Sequence, residues 1–237
     1  MVEDSMMMSK FNGFPGECIP FLQQLADNNE REWFNANKAR YESCVREPAL
    51  AFIEEMAPHL STLSPHFRAI AKKSGGSLLR VYRDIRYTKD KTPYKTNIGI
   101  QFRHELGRDV HAPGFYLHIE PGECFVGVGI WHPESKVLAR IRDFIIDNPA
   151  SWKKALAHSA FRKNYTLVGE SLIRPPRGYP ADHPLLEDLK RKDFIAFKHF
   201  DCKEINQKEF ALSVIRSYKQ AELFISYLCS AVGVEYE

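Results

Sequence analysis

The 237-residue chain predicts an α+β fold, an antiparallel sheet meander packed on one face by N-terminal and C-terminal helices. Three observations predict it. Apolar residues recur at three- and four-residue steps from Glu17 to about Leu63; they alternate with a period of two through the middle of the chain; they return to helical spacing from Pro133 onward. Strands that follow one another without intervening helices argue for a meander rather than a doubly wound sheet.

Taken in order, Phe21, Leu22 and Leu25 mark a first helix, Trp33, Phe34, Tyr41 and Val45 a second, and Phe52, Ile53, Met56 and Leu60 a third. Asn29 with Glu32 reads as a capping box opening the second helix, and Pro48 suits the first turn of the third. Gly75-Gly76 breaks this pattern. Strands are expected at 96–103, 114–120 and 124–131, the last two joined by Pro121-Gly122 as a hairpin. Because side chains alternate across a strand, each run splits into two faces. One carries Ile98, Ile100, Phe102, Phe115, Leu117, Ile119, Val126, Val128 and Ile130 and should meet the helices. The other carries polar, aromatic and glycine residues, among them Gly99, Gln101, Arg103, Tyr116, His118, Gly127, Gly129 and Trp131. Glycines on one strand face mark either a groove or a tight packing site. Helices are expected next at 133–148 and 149–158, a loop at 174–180, a short helix at 183–190, a strand at 193–200, and a long terminal helix from Asn206, opened by an Asn206–Glu209 capping box.

With 44% hydrophobic and 27% charged residues, the composition is that of a globular protein. Residues 11–237 are read as one domain, with residues 1–10 as a flexible extension; Met6, Met7 and Met8 suggest an internal start. Five scattered cysteines without a CxxC pair argue against a disulfide framework and for a reducing cytoplasm. No run approaches the roughly 18 apolar residues of a membrane span. Walker, Rossmann, HExxH and G-x-S-x-G motifs are absent from the sequence, so neither a cofactor nor a metal ion is expected.

The densest chemistry lies between Arg80 and Lys95, where six basic residues and two acidic ones give a net +4 in a chain whose total is +3. Guanidinium forks with interleaved tyrosines suit capture of a phosphate or carboxylate. Arg80, Arg83, Arg86, Lys89, Lys91 and Lys95 are the candidate anion ligands, joined by Tyr116, His118 and Trp131 from the polar face. Asp84 reads as a clamp that orients arginine or as a general base, and Tyr94 and His132 as proton carriers. The competing reading pairs these charges with one another as a solvated network.

Arg80-x-x-Arg83-Asp84-x-Arg86-Tyr87-x-x-Asp90-Lys91-x-x-Tyr94 resembles the signature of domain of unknown function family 2461, a family of uncharacterised bacterial proteins. Asn28-Asn29 before Trp33-Phe34, Pro121-Gly122 before Phe125-Val126-Gly127, Gly169-Glu170 and His183-Pro184 carry the likeness across residues 11–230. Tyr87 departs from it, standing where the family usually has phenylalanine. The resemblance implies a shared architecture with this motif at its centre, and neither substrate nor mechanism.

The function expected is therefore a cytoplasmic protein with a pocket for a small phosphate- or carboxylate-bearing ligand, formed by the basic segment and the polar sheet face, with an enzymatic version acting on a phosphorylated small molecule. The alternative is a non-enzymatic module that binds nucleic acid or another protein with the same charges. No membrane contact is expected.

Overall fold

The computed structural model describes residues 11–107 and 112–237, and the extension expected over residues 1–10 lies outside the described residues. The chain opens with α1 (Cys18–Asp27) and α2 (Arg31–Ala36), and α1 buries Phe21, Leu22 and Leu25, the stripe its spacing predicts. The Asn29–Glu32 capping box does not form. The residue preceding α2 is Glu30, in extended conformation, and the Asn29 side chain is committed to a distant strand-like segment instead. A short α3 (Lys38–Tyr41) runs through a π-helical stretch, Glu42–Arg46, straight into α4 (Glu47–Leu63). Pro48 therefore sits in the first turn of α4 without starting a separate helix, and Pro58 lies inside α4, which continues because Met56 and Leu60 on its buried stripe hold it down.

The sheet consists of β1 (Phe67–Arg68), β2 (Ile98–His104), β3 (Gly114–Glu120), β4 (Glu123–Ile130), β5 (Thr166–Val168) and β6 (Phe194–His199). Its order is β1-β2-β3-β4-β6-β5 and every pairing is antiparallel. Pro121-Gly122 closes a two-residue turn, with Gly122 at φ +85° and Glu120 directly opposite Glu123. Between β4 and β6 the chain forms α5 (Ser135–Asp147), α6 (Pro149–Ala157), α7 (Ser159–Asn164) and α8 (Leu186–Leu189). The expected terminal helix is two helices, α9 (Phe210–Gln220) and α10 (Glu222–Val232), interrupted at Ala221. Nor does an Asn206–Glu209 box open it: the capping box is formed by Asp201 and Glu204 over the 3-10 turn Cys202–Asn206, while the Asn206 amide donates to Phe14 O at 2.8 Å.

Helices α4, α9 and α10 cover the apolar sheet face, where the Tyr218 ring lies 4.6 Å from that of Phe115 and 6.2 Å from that of Phe102. Burying each such aromatic contributes roughly 1.5–3 kcal/mol. Two-sided patterning is clearest in β3, whose residues alternate between buried and half-buried along its whole length. Among the described residues no helix is long and apolar enough to cross a membrane.

One sequence expectation is corrected outright. Cys124 and Cys202 are joined by a disulfide across 78 residues of chain, with Cα atoms 5.4 Å apart. Their separation in sequence hid a pairing that exists because β4 begins beside the end of β6, where the Phe200 amide donates to Cys124 O at 3.0 Å. Cys18, Cys44 and Cys229 are free thiols, all buried.

Candidate functional site

The basic segment is neither a helix nor a regular strand. Two arms, residues 81–83 and 93–95, lie antiparallel through Arg83 N to Pro93 O at 2.9 Å and Lys95 N to Val81 O at 2.7 Å, with Tyr82 bridged to Tyr94. The chain on either side of this hairpin pairs with itself again, since Leu79 N donates to Gly99 O at 2.9 Å and Gln101 N to Ser77 O at 2.8 Å. The hairpin is thus an extension of the β2 edge. Asn29 anchors it from the helical layer: its amide donates to Tyr94 O and accepts from Tyr94 N, both at 3.0 Å. Tyr94 itself is buried and stacked on Phe34 at 4.1 Å, and burial raises its pKa above that of an ordinary phenol.

Arg80, Arg83 and Arg86, all candidate anion ligands from the sequence, are placed differently by this geometry. Arg83 donates to Asp90 and Thr92, and Arg86 grips Asp84 with two bonds of 2.9 and 2.6 Å. The Arg86 bonds hold the Asp84 carboxyl well below the usual range, and the Thr92 amide, with Arg83 and the Thr92 hydroxyl added, holds Asp90 at about 2. The pairs form because the hairpin tip folds back on itself, and Lys91 closes it by donating to Ile85 O at 2.8 Å. Tyr87 stands at the tip, 94% exposed, with the Arg86 guanidinium 5.7 Å from its ring centre. Lys89 is exposed beside it.

Arg80 behaves differently. Asp84 feels its charge but is held by Arg86, and no carboxylate of the described residues pairs with Arg80. Half-buried Lys95 is its neighbour: burial, with the Arg80 charge added, lowers the pKa of that ammonium. Arg80, just before the first arm, and Lys95, on the second, are adjacent cations, and neither forms an ion pair with a carboxylate of the described residues.

Arg80 borders a cavity of about 420 Å³ together with Lys73, Arg103 and the loop Ser74-Gly75-Gly76-Ser77. The carboxylate on this rim, Glu105, is occupied by His66 and Arg68. A second cavity of about 460 Å³ lies over the glycine-bearing sheet face, between Tyr116, Trp131 and Ile195. Leu79, Gln101, Arg103 and Gly107 line both cavities, so the two are compartments of one groove, cationic at one end and apolar and aromatic at the other. Trp131 is 58% exposed at its mouth.

The glycines serve this face in two ways. A Cβ at Gly99 would come 2.8 Å from the Tyr116 hydroxyl, and one at Gly127 would come 3.2 Å from the Phe197 ring, so both make room for neighbouring aromatic side chains. Gly129, at φ +121°, leaves no space at all against Phe194 O. The second cavity nevertheless opens over Gly114, Gly127 and Gly129.

Along β3 the same face carries a chain of polar groups. The Tyr116 hydroxyl is 3.2 Å from His118 Nδ1, His118 Nε2 is 3.2 Å from Glu120 Oε2, and the Thr96 hydroxyl donates to Glu120 Oε1 at 2.6 Å. Burial, reinforced by the Glu120 charge, pushes the Tyr116 phenol up to about 12, so Tyr116 stays a neutral phenol whose hydroxyl can donate a hydrogen bond at neutral pH. His132 sits away from this chain. It has a left-handed backbone (φ +48°), its amide donates to Asp193 Oδ1 at 2.8 Å, and its ring Nδ1 lies 3.3 Å from the same oxygen. Asp193, only 1% exposed, also accepts from Glu170 N at 3.0 Å and so fastens two loops to the start of β6. A non-glycine residue in the left-handed region persists only where its surroundings hold it, and Asp193 is that hold.

Lys73 and the Ser74–Ser77 loop line the groove but lay outside the predicted site, while Arg103 was read on the polar face without being named a ligand. The Gly75-Gly76 break was the available signal, since a glycine loop beside cations suits an anion. Asp193 gave none, because the amides it accepts from, those of His132 and Glu170, lie far from it in sequence.

A family model described as "Conserved hypothetical protein (DUF2461)" matches residues 17–227. The chain belongs to that family. No curated protein and no solved structure matches it.

Proposed function

We propose that this member of the DUF2461 family binds a small molecule bearing a phosphate or carboxylate, with the anion at the Lys73, Arg80 and Arg103 end of the groove and an apolar or planar remainder over the glycine-bearing face. The observation that carries this reading is the joining of a cationic and an aromatic compartment through Gln101 and Arg103. Arginine forks favour planar, two-pronged capture of such anions, and their strength rises in a partly desolvated groove. In an enzymatic version the neutral Tyr116 hydroxyl is the hydrogen-bond donor that faces the bound molecule, with His118 and Glu120 behind it. Arg83, Arg86 and Asp84 then act as architecture for the hairpin. The reading keeps the protein in the cytoplasm, where phosphorylated small molecules are at hand and the Cys124–Cys202 bond is subject to reduction.

Thermal-shift titration with inorganic phosphate, pyrophosphate, nucleoside monophosphates and aromatic carboxylates tests it, because a ligand of the native state stabilises by mass action. At least one class is expected to raise Tm in the wild type and in Arg83→Ala, and to lose that effect in Arg80→Ala and Arg103→Ala. No shift across the panel, or the same shift in all four proteins, sinks the reading.

The exposed tip, with Arg86 against Tyr87 and with exposed Lys89 beside them, favours one second reading, a module that stacks and neutralises single-stranded nucleic acid. A salt-dependent gel shift that is abolished by Tyr87→Ala supports that reading. Absence of any shift at low salt removes it.

A further inference from the structure

At the other end of the open sheet face from the groove, the turn Glu120-Pro121-Gly122-Glu123 sets two carboxylates directly opposite each other. Like charges in a cross-strand pair repel, and no lysine or arginine of the described residues pairs with either. Imidazoles pair with them instead. His118 Nε2 is 3.2 Å from Glu120 Oε2, and His199 Nε2 is 3.7 Å from Glu123 Oε1. One donor atom from each of His118, Glu120 and Glu123 lies within 4.8 Å of the others.

From these positions we infer that His118, Glu120 and Glu123 form a binding site for one divalent transition-metal ion of the zinc and cobalt class, with His199 beside Glu123. Imidazole and carboxylate are the donors such ions take, at about 2.0–2.2 Å, which puts neighbouring ligand atoms of a tetrahedral site about 3.3–3.5 Å apart. The 3.2 Å His118–Glu120 spacing is already close to that, and small rotations of exposed Glu123 close the third side.

The surroundings of the three side chains point the same way. A ligating histidine ordinarily has a polar partner on its other ring nitrogen. His118 Nδ1 faces the Tyr116 hydroxyl at 3.2 Å and the Asn97 amide at 3.4 Å, and the ring is stacked on Phe125 at 4.7 Å, so its orientation is set. Glu120 keeps one oxygen on Thr96 at 2.6 Å and leaves the other toward His118. Without metal, the Glu120 carboxylate at 3.2 Å is an acceptor for a proton on His118 Nε2. With metal bound, that nitrogen is the ligand, the proton moves to Nδ1, and the Tyr116 oxygen accepts it. Behind the site the Cys124–Cys202 disulfide holds the start of β4 to the segment that follows His199. The inference does not depend on the proposed groove ligand, since none of the three residues lines either groove compartment.

The test is calorimetric titration of the chelator-treated full chain with Zn²⁺, together with the visible absorption of Co²⁺ as a coordination probe. About one equivalent should bind, and His118→Gln and Glu123→Gln should each weaken it at least about tenfold, by analogy with the 10–100-fold cost of disturbing even the outer shell of a metal site. Glu123 is exposed in a turn, so Glu123→Gln keeps the fold even if the His118 variant does not. Tyr116→Phe should weaken binding less than either. Failure to bind Zn²⁺ or Co²⁺, or binding that survives unchanged in Glu123→Gln, overturns the assignment.

Discussion

Asn29→Ala is the substitution whose effect follows most directly from the geometry. Asn29 spans 65 residues of chain to make two bonds of 3.0 Å with the backbone of Tyr94, one as donor and one as acceptor, in a part-buried position. Its amide occupies the place a neighbouring strand would take. A neutral hydrogen bond contributes about 0.5–1.5 kcal/mol net, so losing both costs about 2 kcal/mol, with water reaching only part of the exposed backbone. At about 2–4 °C per kcal/mol for a chain of this size, Tm should fall by about 4–8 °C. Hydrogen exchange adds a local readout: the Tyr94 amide, protected in the wild type by Asn29, should exchange faster. Asn29→Asp should rescue nothing, since it keeps the acceptor but turns a carboxylate oxygen toward Tyr94 O. If Asn29→Ala melts within about 1 °C of the wild type and the Tyr94 amide exchanges at its wild-type rate, the hairpin is not anchored from the helical layer, and the reasoning fails.

Three further outcomes follow from other parts of the fold. Reducing Cys124–Cys202, or replacing both cysteines by alanine, should remove about 2–4 kcal/mol, because the bond closes a loop of 78 residues; a melting curve indifferent to reductant at verified thiol content contradicts this. Glu105 raises the His66 pKa above 6.5, so the stability His66 contributes is complete below about that pH and is lost as pH rises through its folded value. Imidazole NMR titration should put the His66 midpoint above 6.5 and return it toward 6.5 in Glu105→Gln; a midpoint at or below 6.5 in the wild type contradicts the pairing. Gly99→Ala should cost about 1–3 kcal/mol in urea unfolding, since its Cβ would sit 2.8 Å from the Tyr116 hydroxyl and 2.9 Å from Leu79 Cδ1. Wild-type stability in that variant would mean that Tyr116 does not rest over Gly99.

Much of the fold was legible because periodicity reports burial. Alternation in 114–120 and 124–131 placed two strands and both their faces, and the stripe of Phe21, Leu22 and Leu25 placed α1. What was missed is short or nonlocal. β1 and β5 are two and three residues long, too short for a period to show. The capping boxes misled because Asn29 and Asn206 both found partners far away in sequence, Tyr94 and Phe14, and a motif spaced by three residues cannot display that competition. Cys124 and Cys202 escaped for the same reason.

The site divides along the same line. Glycine and polar residues on one strand face are a local pattern, and the groove lies over that face. Net charge is not a local pattern, because it counts arginines without showing which of them the hairpin already neutralises. Arg83 reaches seven residues to Asp90 and Arg86 reaches back two to Asp84, and those contacts exist only once the tip has folded. Arg80 lies before the first arm, next to Leu79, whose amide is fixed to Gly99 on the open sheet face. That attachment sets its position. Of the three arginines, Arg80 alone stands where the hairpin joins the groove, so an anion drawn to the motif would meet it together with Arg103 of β2, while the pairs at the tip contribute little net field.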